Sequence, residues 1–199
     1  MDAKTPTRDR IIKAAAHLFY AEGIRAVSVD AIAEKAGVTK KTLYYHFASK
    51  DDLVAAYLSA RDAPNLAAFA RWLHEAEGSL PDRMEAFFGR MAKAARHPAW
   101  KGCGFLRTTA ELANMPGHPA RVVGAAHKKK VEAWLAETFR EAGLAAPEAT
   151  ARQIAVLIDG AFSAMLVHRD PGYALAAGQA ARILVAAGQG IRSPSAAPT

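Results

Sequence analysis

The 199-residue chain has a single cysteine, Cys103, which excludes an internal disulfide, a cysteine-stapled scaffold and a cysteine-rich zinc module. It has no unbroken apolar run of 18 residues, and its first residues, Met1-Asp2-Ala3-Lys4-Thr5, lack the apolar stretch of an export signal. The expectation is a cytoplasmic protein that spans no membrane. No Walker loop, GxGxxG, HExxH or nucleophile elbow occurs, so the common signatures of enzyme chemistry are missing. The seven histidines (His17, His46, His74, His97, His118, His127 and His168) never fall at close metal-ligand spacing, and no metal or other cofactor is expected. Strand-like alternation is absent throughout, and no internal repeat is visible.

What is present is alanine and positive charge. Hydrophobic residues make up 51% of the chain and charged residues 23%, a globular balance that rules out global disorder. Alanine, the best helix former, supplies about half of the hydrophobic set. The net charge of +7 is unevenly spread: residues 1–50 hold nine basic and five acidic side chains, leaving +4 in a quarter of the chain. A basic segment attracts nucleic acid or an anionic surface without specifying which, and an ordinary solvated surface remains the alternative.

Helical spacing runs from end to end, and about nine helices are expected in an all-α fold. Thr5 and Pro6 open the first as cap and first helical residue, and Ile11, Ile12, Ala15, Leu18 and Phe19 mark its apolar face before Gly23 stops it. Ser28 caps a short second helix, Gly37 ends it, and Thr39 caps a third that runs through Phe47. A fourth begins at Ser49-Lys50-Asp51-Asp52 with a capping-box-like spacing, and Pro64 is expected to break or kink it before it resumes to about Ala76. Pro81 opens a fifth, stopped near His97-Pro98, and a shorter helix spans 102–113. After the loop over 114–119 come a long helix bearing Val131, Trp134 and Phe139, another opened by Pro147, and a last one capped by Asp170-Pro171.

Residues 28–47, SVDAIAEKAGVTKKTLYYHF, place two short helices across a tight turn at Gly37, with Ala33 permitting close approach and Ile32, Val38 and Leu43 supplying contacts. This is a helix-turn-helix pattern, whose second helix enters a DNA major groove. An incidental helical hairpin matches the same short pattern. The flanking residues decide between them. IIKAAAHLFYAEG at 11–23 and SVDAIAEKAGVTKKTLYYHFASKDDLV at 28–54 strongly resemble the amino-terminal domain of TetR-family transcriptional regulators, a likeness covering Thr7 to Leu58.

The resemblance implies roles. Ser28 and Val29 approach the DNA backbone; Lys40 and Lys41 occupy base-reading positions; Thr42, Tyr44 and His46 contact phosphate or base edges; Lys50 binds phosphate. Thr39 and Tyr45 complete the expected surface, while Leu43 and Phe47 are core and Asp30 is a partner for the helix dipole. Many relatives carry a small residue where Lys41 stands, which leaves the operator sequence open. The resemblance further implies domains at 1–48 (DNA-binding) and 49–190 (effector-binding and dimerisation), and a homodimeric repressor on a palindromic DNA operator. Composition marks 191–199 as a disordered tail.

For dimerisation the residues agree: Ile154, Leu157, Ile158, Ala161, Phe162 and Met165 form a stripe wider than one core face needs, joined by Leu175, Ile183 and Leu184. Filling of the monomer core is the alternative for both helices. A pocket for a small hydrophobic or aromatic effector is expected from Phe87, Phe88, Met91, Trp100, Cys103, Phe105, Thr109, Trp134, Phe162 and Met165, each of which is otherwise an ordinary core position. Cys103 is either a redox- or electrophile-sensing thiol, the alternative regulatory mode, or a buried inert one. Asp159 either meets a cationic ligand or pairs with an arginine, and Lys128-Lys129-Lys130 is either a second basic surface or a solvated helix face.

Overall fold

The computed structural model describes residues 5–189, and the expected disordered tail at 191–199 lies outside them. Among the described residues there are nine α-helices and no strand. They are α1 (Thr7–Glu22), α2 (Val29–Ala36), α3 (Lys40–His46), α4 (Lys50–His74), α5 (Leu80–Ala95), α6 (Gly104–Glu111), α7 (Pro119–Glu141), α8 (Pro147–His168) and α9 (Gly172–Gln189). The all-α expectation holds. The helices sort into two compact units, one of residues 5–65 with 101–127, the other of 66–100 with 128–189. The segment expected to bind DNA lies in the first, together with the start of α4, α6 and the start of α7.

Local chemistry sets most helix ends. Ala31 N–H donates to Ser28 Oγ, Thr42 N–H to Thr39 Oγ1 and Asp52 N–H to Ser49 Oγ, each at 3.1 Å, so three expected caps form. Thr5 does not cap α1. Pro6 takes the cap position, its carbonyl accepting from the amides of Asp9 and Arg10, and no side chain caps the helix. Pro64 does not break α4. Its missing N–H forgoes only the bond to the carbonyl one turn earlier, at exposed Ala60, where solvent can reach. The sixth helix is shorter than expected because Gly102 (φ 82°) turns the chain just ahead of it.

The second unit packs α9 against α5 and α8. Its core joins Met84, Phe87, Phe88 and Met91 of α5 to Leu135 and Phe139 of α7, Ile154, Ile158, Ala161 and Met165 of α8, and Ala174, Ala181 and Val185 of α9. Burying a side chain of this size stabilises by about 1.5–3 kcal/mol. This packing corrects the expected dimer stripe. Ile154, Ile158, Ala161 and Met165 lie inside the chain's own core and offer no surface to a partner. It also bears on the membrane reading: α8 is long and apolar enough to cross a bilayer by length and composition, which Arg152 and Asp159 hide from a search for unbroken runs. A core helix meets the same criterion, and the inward stripe of α8 is that of a core helix.

Close approach of α5 and α9 depends on Gly178, where a Cβ would sit 2.9 Å from Phe88 Cβ and 3.2 Å from the Glu85 carbonyl. Gly178→Ala is therefore expected to destabilise by about 1–3 kcal/mol. Gly89→Ala, on α5 with nothing within 4 Å of the added carbon, should instead be neutral or stabilise by up to about 1 kcal/mol. Urea unfolding of the two variants checks the contrast; equal effects would contradict this packing.

Candidate nucleic-acid interface

The first unit presents a turn and a short helix. Gly37 is left-handed (φ 64°, ψ 44°); its N–H reaches the Glu34 carbonyl and that of Val38 reaches the Ala33 carbonyl, each at 3.0 Å. That pair of bonds closes α2 in a Schellman motif. From α1, Arg10 Nη2 donates to the carbonyls of Ala36 (2.7 Å) and Gly37 (3.0 Å), holding the turn from behind. Ile32, Ala33 and Leu43 are buried beneath it with Ile11, Ala15 and Phe19 of α1, and the Arg8 guanidinium lies 5.1 Å from the centre of the Phe47 ring. Core packing of Leu43 and Phe47 is as the sequence led one to expect.

The outward face of α3 is open. Lys40, Lys41, Tyr44 and Tyr45 are exposed, Tyr45 to 86%, and Thr42 and His46 are half-exposed. Ser28 is exposed beside half-buried Val29 at the start of α2, and half-buried Lys50 begins α4. All ten residues expected at this surface thus lie at the edges of α2, α3 and α4 in one unit. Several of them are committed locally. Lys40 Nζ donates to Asp30 Oδ2 at 3.0 Å, which raises the lysine pKa above its ordinary value. The Thr39 and Thr42 hydroxyls bond each other at 2.8 Å. Burial lowers the Lys50 pKa, a trend opposed by the charges of Glu111 and Asp51.

Contacts far apart in sequence hold this unit together, and sequence reading missed them. The Glu111 carboxylate accepts from the amides of Ile24 (2.9 Å) and Arg25 (2.6 Å), fixing the connection between α1 and α2. Tyr20 Oη accepts from Lys101 N–H at 2.9 Å and donates to the Gly102 carbonyl at 3.2 Å, while Arg107 Nη1 donates to the Tyr20 carbonyl. Buried His127 lies between Asp62 (2.7 Å) and Asn65 (3.0 Å) and stacks on Phe105 at 3.6 Å between ring centres. It is a satisfied core histidine. Burial also raises the Tyr57 pKa and keeps that phenol neutral.

The ten residues expected around an effector divide between the units: Cys103, Phe105 and Thr109 belong to the first and the other seven to the second. Phe87, Phe88 and Met91 are fully packed, and Phe87 meets Phe69, Trp72, Phe88 and Trp134 at ring-centre distances of 5.3–6.4 Å. These three side chains pack in the core of the second unit. Trp134 borders one open groove and Trp100 and Met165 border another pocket, both in the second unit. Cys103 is 8% exposed at the start of α6, where a thiol acts as a small hydrophobe and oxidants have little access, so the redox alternative gains no support. Asp159 pairs with Lys128 rather than with an arginine, and Lys129 pairs with Glu132.

Known proteins share this head. The sequence model described as bacterial regulatory proteins, tetR family, matches residues 11–57. The HTH-type transcriptional regulator SrpR of Pseudomonas putida is 45% identical over 58 residues, 29% of this chain and 27% of that protein. TtgW, another HTH-type transcriptional regulator of Pseudomonas putida, is likewise 45% identical over 58 residues, 29% of this chain and 43% of that protein. These matches to curated relatives therefore span less than half of the proteins they match. Solved structures extend the likeness to nearly the whole chain. A tetr-transcriptional regulator (sav143) from Streptomyces avermitilis is 30% identical with a TM-score of 0.79, covering 92% of this chain and 98% of that one. SCO4454 from Streptomyces coelicolor, a TetR-family transcriptional regulator, is 29% identical with a TM-score of 0.76, covering 92% and 96%.

Loss of the anchor at residues 24–25 is the direct test of how this unit is held together. Glu111→Ala is expected to cost about 1.5–3 kcal/mol by removing two charge-assisted hydrogen bonds, whereas Tyr45→Ala should change stability by less than about 0.5 kcal/mol. Thermal and urea unfolding measure both; a destabilised Tyr45→Ala would mean the ring is structural.

Proposed function

The chain belongs to the TetR family of transcriptional regulators, and from that premise we propose that it is a homodimeric repressor that leaves its DNA operator when a small hydrophobic or aromatic effector binds. The family is regulatory rather than enzymatic. The observation that carries the DNA half of this reading is the outward face of α3, where lysines, tyrosines and a histidine stand free of the core on a turn locked by Gly37 and Arg10. Lys40 and Lys41 read base edges in the major groove; Ser28, Thr42, Tyr44 and Lys50 hold phosphates; Val29, Thr39, Tyr45 and His46 complete the contact. A cytoplasmic location fits a protein whose partner is double-stranded DNA.

Dimerisation is supported by apolar surface left open in the second unit. Val156 and Val167 on α8 and Ile183 on α9 are 66%, 71% and 69% exposed, with Leu175 at 45%. Leu157, Phe162 and Leu184 are half-buried and pack against the core of this unit. A face of this kind on two neighbouring helices suits a four-helix bundle with a second copy. A twofold pair of recognition helices then reads half-sites about one DNA turn apart. An effector that binds the DNA-free conformation more tightly shifts the population off the operator, and DNA weakens the effector by the same factor.

Retention of the protein's own promoter fragment at moderate salt tests the reading; no specific retention would end it. Lys50→Gln should weaken all sequences alike and lower the salt slope by about one unit, while changes at Lys40 or Lys41 should alter sequence preference. Phosphate favours charged Lys50, so binding takes up a proton once pH exceeds the lowered pKa of the DNA-free lysine. Affinity should therefore fall on that alkaline limb, and this component should vanish in Lys50→Gln. Ile183→Glu should convert a dimer to a monomer in sedimentation with helicity retained; an unchanged dimer would place the interface elsewhere.

A further inference from the structure

A pocket of about 360 Å³ in the second unit is lined by Ala95, Arg96, His97, Pro98, Trp100, Met165, Arg169, Asp170 and Pro171. Two chain segments build it: the end of α5 with the residues that follow, and the end of α8 with the turn into α9. Its walls are apolar and partly aromatic, from Trp100, Met165 and the two prolines. Its charge is two arginines against one carboxylate. Asp170 is engaged, since Gly172 N–H donates to its Oδ1 at 2.7 Å at the start of α9. Among the described residues neither Arg96 nor Arg169 makes a side-chain hydrogen bond or an ion pair, although most other arginines of the second unit do. The His97 ring accepts from Ala99 N–H through Nδ1 (3.1 Å), leaving Nε2–H as a further donor.

Arg96 and Arg169 occupy the caps at the C-terminal ends of α5 and α8, where a cation also suits the helix dipole. The dipole accounts for positive charge at each end. Both guanidinium groups are solvent-exposed, and they border one hollow walled in part by Trp100. The same dipoles disfavour a bare anion, so occupancy requires the guanidinium forks together with the apolar walls. We propose that this pocket binds an aromatic monocarboxylate, its ring against Trp100 and Pro98 and its carboxylate on Arg96 and Arg169. A planar carboxylate matches the paired donors of guanidinium. One carboxylate also suits the local excess of one positive charge, and the volume lies in the range of small-ligand sites. Where release from DNA is concerned, the inference rests on the effector reading above; binding itself does not.

Calorimetric titration of the full chain with 2-naphthoate and with its neutral analogue 2-naphthamide tests it. Saturable 2-naphthoate binding is expected, at least about tenfold tighter than that of the amide. Arg96→Gln and Arg169→Asn should each erase most of that preference, asparagine being chosen because residue 169 has φ 55°. Unfolding midpoints of the variants confirm that they fold, and the acid-to-amide ratio of the unaltered protein needs no variant. Equal binding of acid and amide, no saturable binding of the acid, or wild-type affinity in both variants would each overturn the proposal. Operator retention measured alongside separates the two readings. Binding of 2-naphthoate without DNA release leaves the pocket standing and removes its effector role; effector-driven release unchanged in both arginine variants assigns the effector another site.

Discussion

Everything the recognition surface can do depends on one backbone conformation, the left-handed residue at Gly37. A side chain there would cost about 1–2 kcal/mol in backbone strain and would also meet the Arg10 guanidinium, 3.2 Å from where a Cβ would lie. With glycine, α2 closes in a Schellman motif and the chain turns at once into α3. Arg10 then holds the carbonyls of residues 36 and 37, and Ile32 and Leu43 seal the underside. The result is a seven-residue helix, too short to be stable alone, held rigidly enough for its outer side chains to be read as a pattern.

Electrostatics within the head adds a competition. Asp30 sits in the first turn of α2, where a carboxylate favours the helix dipole, and it also holds Lys40. In the proposed role of Lys40 as a base reader, DNA must displace that ion pair first. The pair is exposed to solvent, so the exchange costs little, but it orients the lysine in the unbound state. Excess positive charge in residues 1–50 suits a nucleic-acid partner; the arrangement around Gly37 sets which side chains α3 presents.

Local features are legible in the sequence and distant ones are hidden. Caps at Ser28, Thr39 and Ser49, the turn at Gly37 and the apolar face of α1 each depend on residues within a few positions, and all can be read directly. Arg10 reaching Gly37 and Glu111 reaching Ile24 and Arg25 join residues 27 and more than 80 positions apart, and no local pattern encodes them. The α8 stripe shows a different limit. Periodicity identifies an apolar face but not which neighbour covers it, so Ile154 and Ile158, expected at a partner, face the chain's own core while Val156 and Val167 lie outside. Bulky residues expected to line a cavity meet the same limit, because a core and a pocket draw on the same side chains. Pro64 misleads for a related reason: propensity describes an isolated helix, and packed residues along α4 outweigh it.

The proposed repression requires two copies of the chain to place two such α3 helices on one DNA site. DNase footprinting of the protein on its own promoter tests that requirement most directly. Two protected half-sites related by a twofold axis are predicted, with centres about one helical turn or a whole multiple of it apart. Protection of a single half-site at saturation, or uniform coverage with no sequence repeat, would contradict it.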